Sequence, residues 1–174
     1  MNNACPRLAL LGPADAPAYR DLLLHAYASE PDAFTSTAEE RAAQPLSWWS
    51  ERLAGPEGGS VAMGAFAGMQ LVGSVTLSLS HRTKTRHKAE LAAMFVWQGW
   101  RGAGLGRRLV EAALDYLRQH QPGVTAVALT VTEGNAPALA LYEGAGFRAF
   151  GTEPMGIRTP AGYLGKVHMW RRMP

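Results

Sequence analysis

One cysteine, Cys5, stands in 174 residues, so the chain can form no internal disulfide. A lone thiol fits a reducing compartment, and the expected location is cytoplasmic. No apolar run approaches the ~20 residues a helix needs to cross a bilayer, so no membrane role is expected. The opening "MNNACPRLALLG" lacks a charged segment followed by a cleavage site, so no signal peptide is expected. Charge is sparse too, at 18% of residues against 47% hydrophobic, which is a globular balance and not a disordered one. The net charge of +3 is not gathered into the stripe that nucleic-acid binders carry, so no nucleic-acid partner is expected. The densest basic stretch, "HRTKTRHK" at 81–88, reads either as a solvated loop or as an attractor of an anionic ligand. No spaced cluster of His, Cys, Asp and Glu suggests a metal site. Repeats, low-complexity tracts and linkers are also missing, which predicts one domain over residues 1–174.

What is present alternates strand and helix signals. "PRLALLG" (6–12) reads as a first strand. Residues 14–29 place Tyr19, Leu22, Leu23, Ala26 and Tyr27 at helical spacing, with Asp15 as N-cap. Residues 36–53 read as a helix or a pair broken at Pro45, since proline disrupts a helix interior. Thr37 and Glu40 have capping-box spacing. "SVAMGAFA" (60–67) and "QLVGSVTLSLS" (70–80) flank "GM" as a hairpin. A strand at 88–97, a helix at 104–120, a strand at 124–132 and a helix at 135–146 follow, and two strands close the chain. This order predicts an α/β fold: a mixed sheet with helices on both faces.

The most informative stretch is "WQGWRGAGLGRRL", residues 97–109. A strand leads in and a helix leads out. Gly102, Gly104 and Gly106 would let a backbone approach an anion at the helix N-terminus, where N–H groups are unpaired. A P-loop is excluded, because Gly106 is followed by Arg107-Arg108 and not Lys-Ser/Thr. A Rossmann turn is disfavoured, because its third glycine would fall at position 107, which is arginine.

The third pattern is Arg101-Gly102-Ala103-Gly104-Leu105-Gly106, written [Q/R]-x-x-G-x-[G/A]. It resembles the signature of the GCN5-related N-acetyltransferase (GNAT) superfamily. "NAPALALYEGAGF" resembles that family's second segment, N-x-x-A-x-x-L-Y-x-x-x-G-F. The two motifs stand in the family's order, and the strand and helix order resembles it over nearly the whole chain. The resemblance implies a mostly antiparallel GNAT-like sheet, acetyl-CoA as cosubstrate and an amine acceptor. It further implies that backbone N–H groups of Gly102, Ala103, Gly104, Leu105 and Gly106 hold the diphosphate. Met94, Phe95 and Val96 would present backbone to the pantetheine arm, as a strand does. Arg101 and Arg107 flank the phosphates, and Asn135 contacts the cofactor while also suiting a helix cap. A homodimer through the late strands is a further family trait.

The implied reaction moves acetyl from a thioester to a primary amine. An alkyl amine has a pKa of about 10.4 and is mostly protonated at pH 7, so a base is required. Several members of the family place a base-acting glutamate where Glu90 stands, and a bulge in its strand would alter which way Glu90 faces. Tyr142 matches the family's general acid, which protonates the leaving thiolate. Glu90 could equally be a solvated carboxylate beside Arg86 or Lys88, and Tyr142 a packed aromatic. His87 and His168 are reserve bases. The segment 34–49, with Glu39, Glu40, Trp48 and Trp49, corresponds to the acceptor groove or to plain helix surface and core. The leading expectation is a small-molecule N-acetyltransferase. The alternatives are a protein or peptide N-acetyltransferase and a non-catalytic acyl-CoA sensor on the same fold.

Overall fold

A computed structural model describes residues 5–174. Its strands are β1 (Arg7–Leu10), β2 (Ser60–Ala67), β3 (Gln70–Leu79), β4 (Lys88–Val96), β5 (Ala126–Thr132), β6 (Arg148–Thr159) and β7 (Gly162–Arg172). Its helices are α1 (Ala16–Ser29), α2 (Ala38–Ala42), α3 (Leu46–Glu51), α4 (Leu105–His120) and α5 (Ala136–Gly144). The element order is the expected one. β1 is shorter than 6–12, and β6 continues past Pro154 to Thr159.

The strands form one sheet in the order β1-β2-β3-β4-β5-β7-β6. Every pairing is antiparallel except β4–β5, which is parallel. Helices cover both faces. On one, α4 buries Leu105, Leu109, Val110, Ala113, Leu114 and Leu117, which recur at helical spacing. On the other, α1 buries Tyr19, Leu22, Leu23 and Ala26 against Trp49 and Leu53. The strands between serve both cores: Val61 faces α4 and its neighbour Ala62 faces α1. A hydrogen bond of 2.7 Å between the Tyr19 hydroxyl and Thr76 Oγ1 fastens α1 to β3.

Pro45 separates α2 from α3, as its lost N–H demands. The capping box forms: Glu40 N donates to Thr37 Oγ1 and Thr37 N to Glu40 Oε2. Asp15 instead accepts from Gly12 N, closing a short 3-10 turn ahead of α1 rather than capping α1 itself. Among the described residues, no helix is long and apolar enough to cross a membrane.

Two irregularities open the sheet. Pairing of β3 with β4 shifts register between Ser74 and Thr76, and opposite that point Ala93 adopts φ 49°. This is a β-bulge in β4. Pairing of β4 with β5 covers only residues 88–90 against 126–128. Beyond them the two strands part, and residues 91–96 have no strand partner on the β5 side.

Candidate active site

The parted strands frame a cavity of about 240 Å³. Glu90 and Met94 from β4, Thr130 and Thr132 from β5, Asn135 at the N-cap of α5, Tyr142 within α5, and Lys166 from β7 line it. Arg41, Arg52, Tyr27 and Ser36 form the wall on the α1–α3 side. Glu90 and Tyr142 reach it from opposite faces of the sheet. Ala89 and Leu91 point into the core under α4, so Glu90 between them points the other way. Tyr142 belongs to the α4-side core. A regular strand would have put Glu90 and Met94 on one face. The bulge at Ala93 reverses Met94, which packs on the α4 side beside Gly106.

Burial pushes the Tyr142 hydroxyl well above the ordinary tyrosine value. It therefore keeps its proton throughout the neutral range. Asn135 does cap α5, with Oδ1 accepting from Ala138 N at 3.2 Å, and it also faces the cavity. Its side-chain NH₂ remains for another acceptor.

At the far end of β4, Gly102 and Gly104 hold φ of 80° and 77°, conformations that favour glycine. Gly104 caps α4, and the first amide closing that helix onto the turn is Arg108 N to Gly104 O. The amides of residues 102–107 donate to no other described residue. Side chains added at Gly102 or Gly104 would meet nothing within 4 Å, so the cradle is open outward. At Gly106 a Cβ would stand 3.1 Å from Met94 Cε, so this glycine serves close packing of α4 on β4. These bare amides, next to an unpartnered strand edge, suit a diphosphate joined to an extended amide-bearing arm.

The side chains around that turn are less free than the sequence suggests. Arg101 donates from Nε to the Val96 carbonyl at 2.8 Å, pairs with Glu30 at 2.9 Å and lies over the Phe95 ring. It clamps the turn to β4 and to the end of α1. The Val96 carbonyl is thereby already engaged. Phe95 and Leu105 are buried, so only their backbones face a ligand. Arg107 pairs with Glu111 at 2.7 Å and lines a separate shallow hollow with Arg171. Arg108 holds the Pro6 carbonyl and the exposed Cys5 thiol. His168 faces Glu153 and lines a neighbouring hollow that Glu90 also borders. His87 is exposed, and only its carbonyl is used, by Thr125 N and Ala126 N. Trp49 is fully buried core, Trp48 packs edge-on against it, and Glu39 and Glu40 lie outside the cavity. No group of three His, Cys, Asp or Glu among the described residues is placed to hold a metal.

Sequence reasoning missed Arg41, Arg52 and Lys166. Lys166 is 5% exposed, and its ammonium donates to Thr132 Oγ1 at 2.8 Å. Thr132 in turn donates to the Asp32 carbonyl at 2.6 Å. Burial lowers the Lys166 pKa, and the charge of Glu153 partly offsets this. A lysine at mid-strand, where lysine is disfavoured, was the available signal.

Solved structures share this fold across nearly the whole chain. The acetyltransferase of GNAT family from Streptococcus pneumoniae superposes with a TM-score of 0.77 at 21% identity, covering 96% of this chain and 100% of that one. The Salmonella typhimurium protein yncA, determined with its cofactor acetyl-CoA, gives 0.79 at 18% identity, covering 97% and 94%. In sequence, the mycothiol acetyltransferases of Corynebacterium glutamicum and Acidothermus cellulolyticus are 42% identical over 65 residues and 48% identical over 52. Those stretches are 36% and 30% of this chain, and only 22% and 15% of the relatives' own lengths. The Acetyltransferase (GNAT) family pattern matches residues 21–147, which contain the bulged strand, the glycine turn, Asn135 and Tyr142, and the chain belongs to that family.

Proposed function

We propose that this chain transfers the acetyl group of acetyl-CoA to the primary amine of a small molecule. The observation that carries the reading is an open β4 edge that starts in the cavity holding Glu90 and Tyr142 and runs on toward the bare amides of residues 102–107. The amides of residues 102–107 hold the diphosphate, and the β4 edge at residues 94–96 holds the pantetheine arm. The bound thioester supplies an activated carbonyl carbon at the cavity.

The chain's own residues then manage two protons. Glu90 accepts one from the acceptor ammonium, directly or through water, which frees the nitrogen lone pair. Nitrogen forms the new bond to the acetyl carbon as the carbon–sulfur bond breaks, and the acylated nitrogen sheds its second proton to solvent. Tyr142 donates to the departing sulfur. Its raised pKa lies further above the ~8.5 of a thiol than a free tyrosine's does. Its main contribution is therefore a hydrogen bond to the developing thiolate, and solvent restores any proton it gives up. The overall products are amide, free thiol and one proton from the original ammonium. The cavity wall brings Glu90 together with Arg41, Arg52 and Lys166, a concentrated polar lining that suits a compact charged amine.

The test is thiol release from acetyl-CoA across a panel of amines and peptides, with wild type and Glu90→Gln. The expected result is turnover with at least one small amine, reduced roughly 10²- to 10⁴-fold by the substitution at neutral pH. Coenzyme A binding with no turnover on any amine would favour an acyl-CoA sensor instead.

A further inference from the structure

We infer that the acceptor carries an oxyanion as well as its amine, and that Arg41 and Arg52 are the residues that hold it. This rests on the transferase reading for the identity of the acceptor pocket. Both guanidiniums line the cavity that contains Glu90 and Tyr142. Neither forms an ion pair with a described residue: the ion pairs present use Arg101, Arg107, Arg118 and His168. Arg41 donates one NH₂ to Ser36 Oγ at 2.7 Å, while its Nε is buried without a partner. Arg52 lies beside the buried Tyr19 hydroxyl, which it pulls down against burial, and it has no carboxylate partner among the described residues.

They are nonetheless fixed in place. The Arg41 and Arg52 guanidiniums stand 4.8 Å and 4.4 Å from the centre of the Trp48 ring, and Arg41 lies 5.9 Å from that of Tyr27. Stacking orients a guanidinium without using its N–H donors or neutralising its charge. The cavity's charged side chains are Arg41, Arg52, Lys166 and Glu90, a surplus of positive charge. The charge is felt locally, since both arginines pull down the hydroxyl of Tyr27 against its burial. Their partners are neutral hydroxyls, of Ser36 and Tyr27 for Arg41 and of Tyr19 for Arg52, so two preoriented forks keep their charge and donors to spare for a carboxylate or phosphate.

Position supports the same assignment. The arginines belong to the α2–α3 segment, across the cavity from the β4–β5 opening where Glu90 and Tyr142 stand. The glycine turn is not part of this cavity's lining, so the cofactor's diphosphate has its own site. An amine directed at Glu90 with an anionic group directed at the arginines describes an amino-acid-like or phosphorylated amine. Simple diamines, whose second charge is positive, fit this wall poorly.

The experiment compares matched acceptors: the common L-amino acids against their carboxamides, and phosphoethanolamine against ethanolamine. Thiol release gives kcat/KM, and ligand-observed NMR gives binding of the same compounds without acetyl-CoA. Wild type should prefer one anionic member over its neutral match, by roughly 10- to 100-fold per charged fork engaged. Arg41→Gln and Arg52→Gln should each erase most of that preference by raising KM, while the affinity for coenzyme A stays within twofold. Arg41→Lys, which keeps charge without the fork, should recover part of it and guards against a folding defect. The carboxylate and phosphate arms separate the two sources of the anion. Equal turnover of neutral and anionic members, or a preference that survives both substitutions, overturns the inference and leaves the transferase reading intact. Arginine-dependent binding of an anionic amine without thiol release upholds the anion site and overturns the transferase reading. Absence of any arginine-dependent binding overturns the inference.

Discussion

Gly104 offers the sharpest test of how the turn works, because its environment isolates conformation from space. Its φ of 77° lies in the left-handed region, and a Cβ there would meet nothing within 4 Å. An L side chain in that region costs about 1–2 kcal/mol. Replacement by alanine leaves the protein two choices. It can keep the turn and carry the strain, losing about 1–2 kcal/mol of stability, or about 2–8 °C of Tm for a domain of this size. Alternatively the free turn relaxes, Tm falls less, and binding must restore the strained form. The affinity loss is then capped at the strain itself, roughly fivefold to thirtyfold. Valine goes further, because its branched side chain tolerates positive φ worse and projects into the open space the diphosphate is proposed to fill. Gly99 is the control: its φ is not positive, and its Cβ would also meet nothing within 4 Å. Calorimetric titration with coenzyme A, beside scanning calorimetry, reads both quantities. Gly104→Val should weaken binding by at least tenfold, and Gly99→Ala should leave it unchanged. If Gly104→Val binds coenzyme A within twofold of wild type, the diphosphate does not sit on these amides.

Tyr142→Phe keeps the packed ring against Phe147 and removes only the hydroxyl. Turnover should fall about 10²-fold with coenzyme A affinity nearly intact; unchanged turnover removes Tyr142 from the chemistry. Because burial raises its pKa from 10.0, Tyr142 should contribute no alkaline limb below about pH 10, and wild type and Tyr142→Phe should share the same limb in kcat/KM. Lys166 gives a stability prediction of known sign. Its folded pKa is lowered from 10.5, so between the folded value and 10.5 the unfolded chain binds more protons. In that window wild type should gain stability with rising pH relative to Lys166→Met, as read by denaturant titration at stepped pH. A parallel dependence in both proteins would show that Lys166 is not held in the buried environment described here.

Much of the scaffold was legible because its signals are local. The spacing of leucines along α4, the break at Pro45, the Thr37–Glu40 box and the "GM" hairpin turn each depend on a few neighbouring residues. The Asn135 cap was readable for the same reason. The arginines beside the glycines were not. Arg101, Arg107 and Arg108 suggest a phosphate cluster in sequence, yet they find Glu30, Glu111 and the Pro6 carbonyl in space. Glu30 and Pro6 lie 71 and 102 residues away. Composition near a motif says little about which charges a fold has already spent elsewhere. The converse holds for Arg41 and Arg52. In sequence Arg41 sits among the glutamates and tryptophans of segment 34–49, read as acceptor groove or plain surface, and Arg52 lies just beyond it. In the fold, Glu40 is occupied by its own helix cap, and the arginines are the charges that face inward.

The strand β4 shows why a site can be marked in sequence and still need coordinates. Its apolar run "ELAAMFV" reads as one continuous strand, and period-two alternation would put Glu90 and Met94 together. Ala93 breaks that period by taking φ 49°, a strained value for a residue that carries a Cβ. No local signal demands it, since alanine is not a bulge residue by preference. The bulge is held by what surrounds it: β3 on one side, Phe95 in the α1 core and Met94 under α4. Each of those contacts is long-range. Their joint effect is to turn a strand edge away from β5 at the point where pairing stops, past Glu90. A sheet that paired fully there would bury the very amides and carbonyls the pantetheine arm is proposed to meet. The opening that the proposed chemistry requires is thus a defect in hydrogen bonding, and its position is fixed by packing on both faces rather than by the residues that line it.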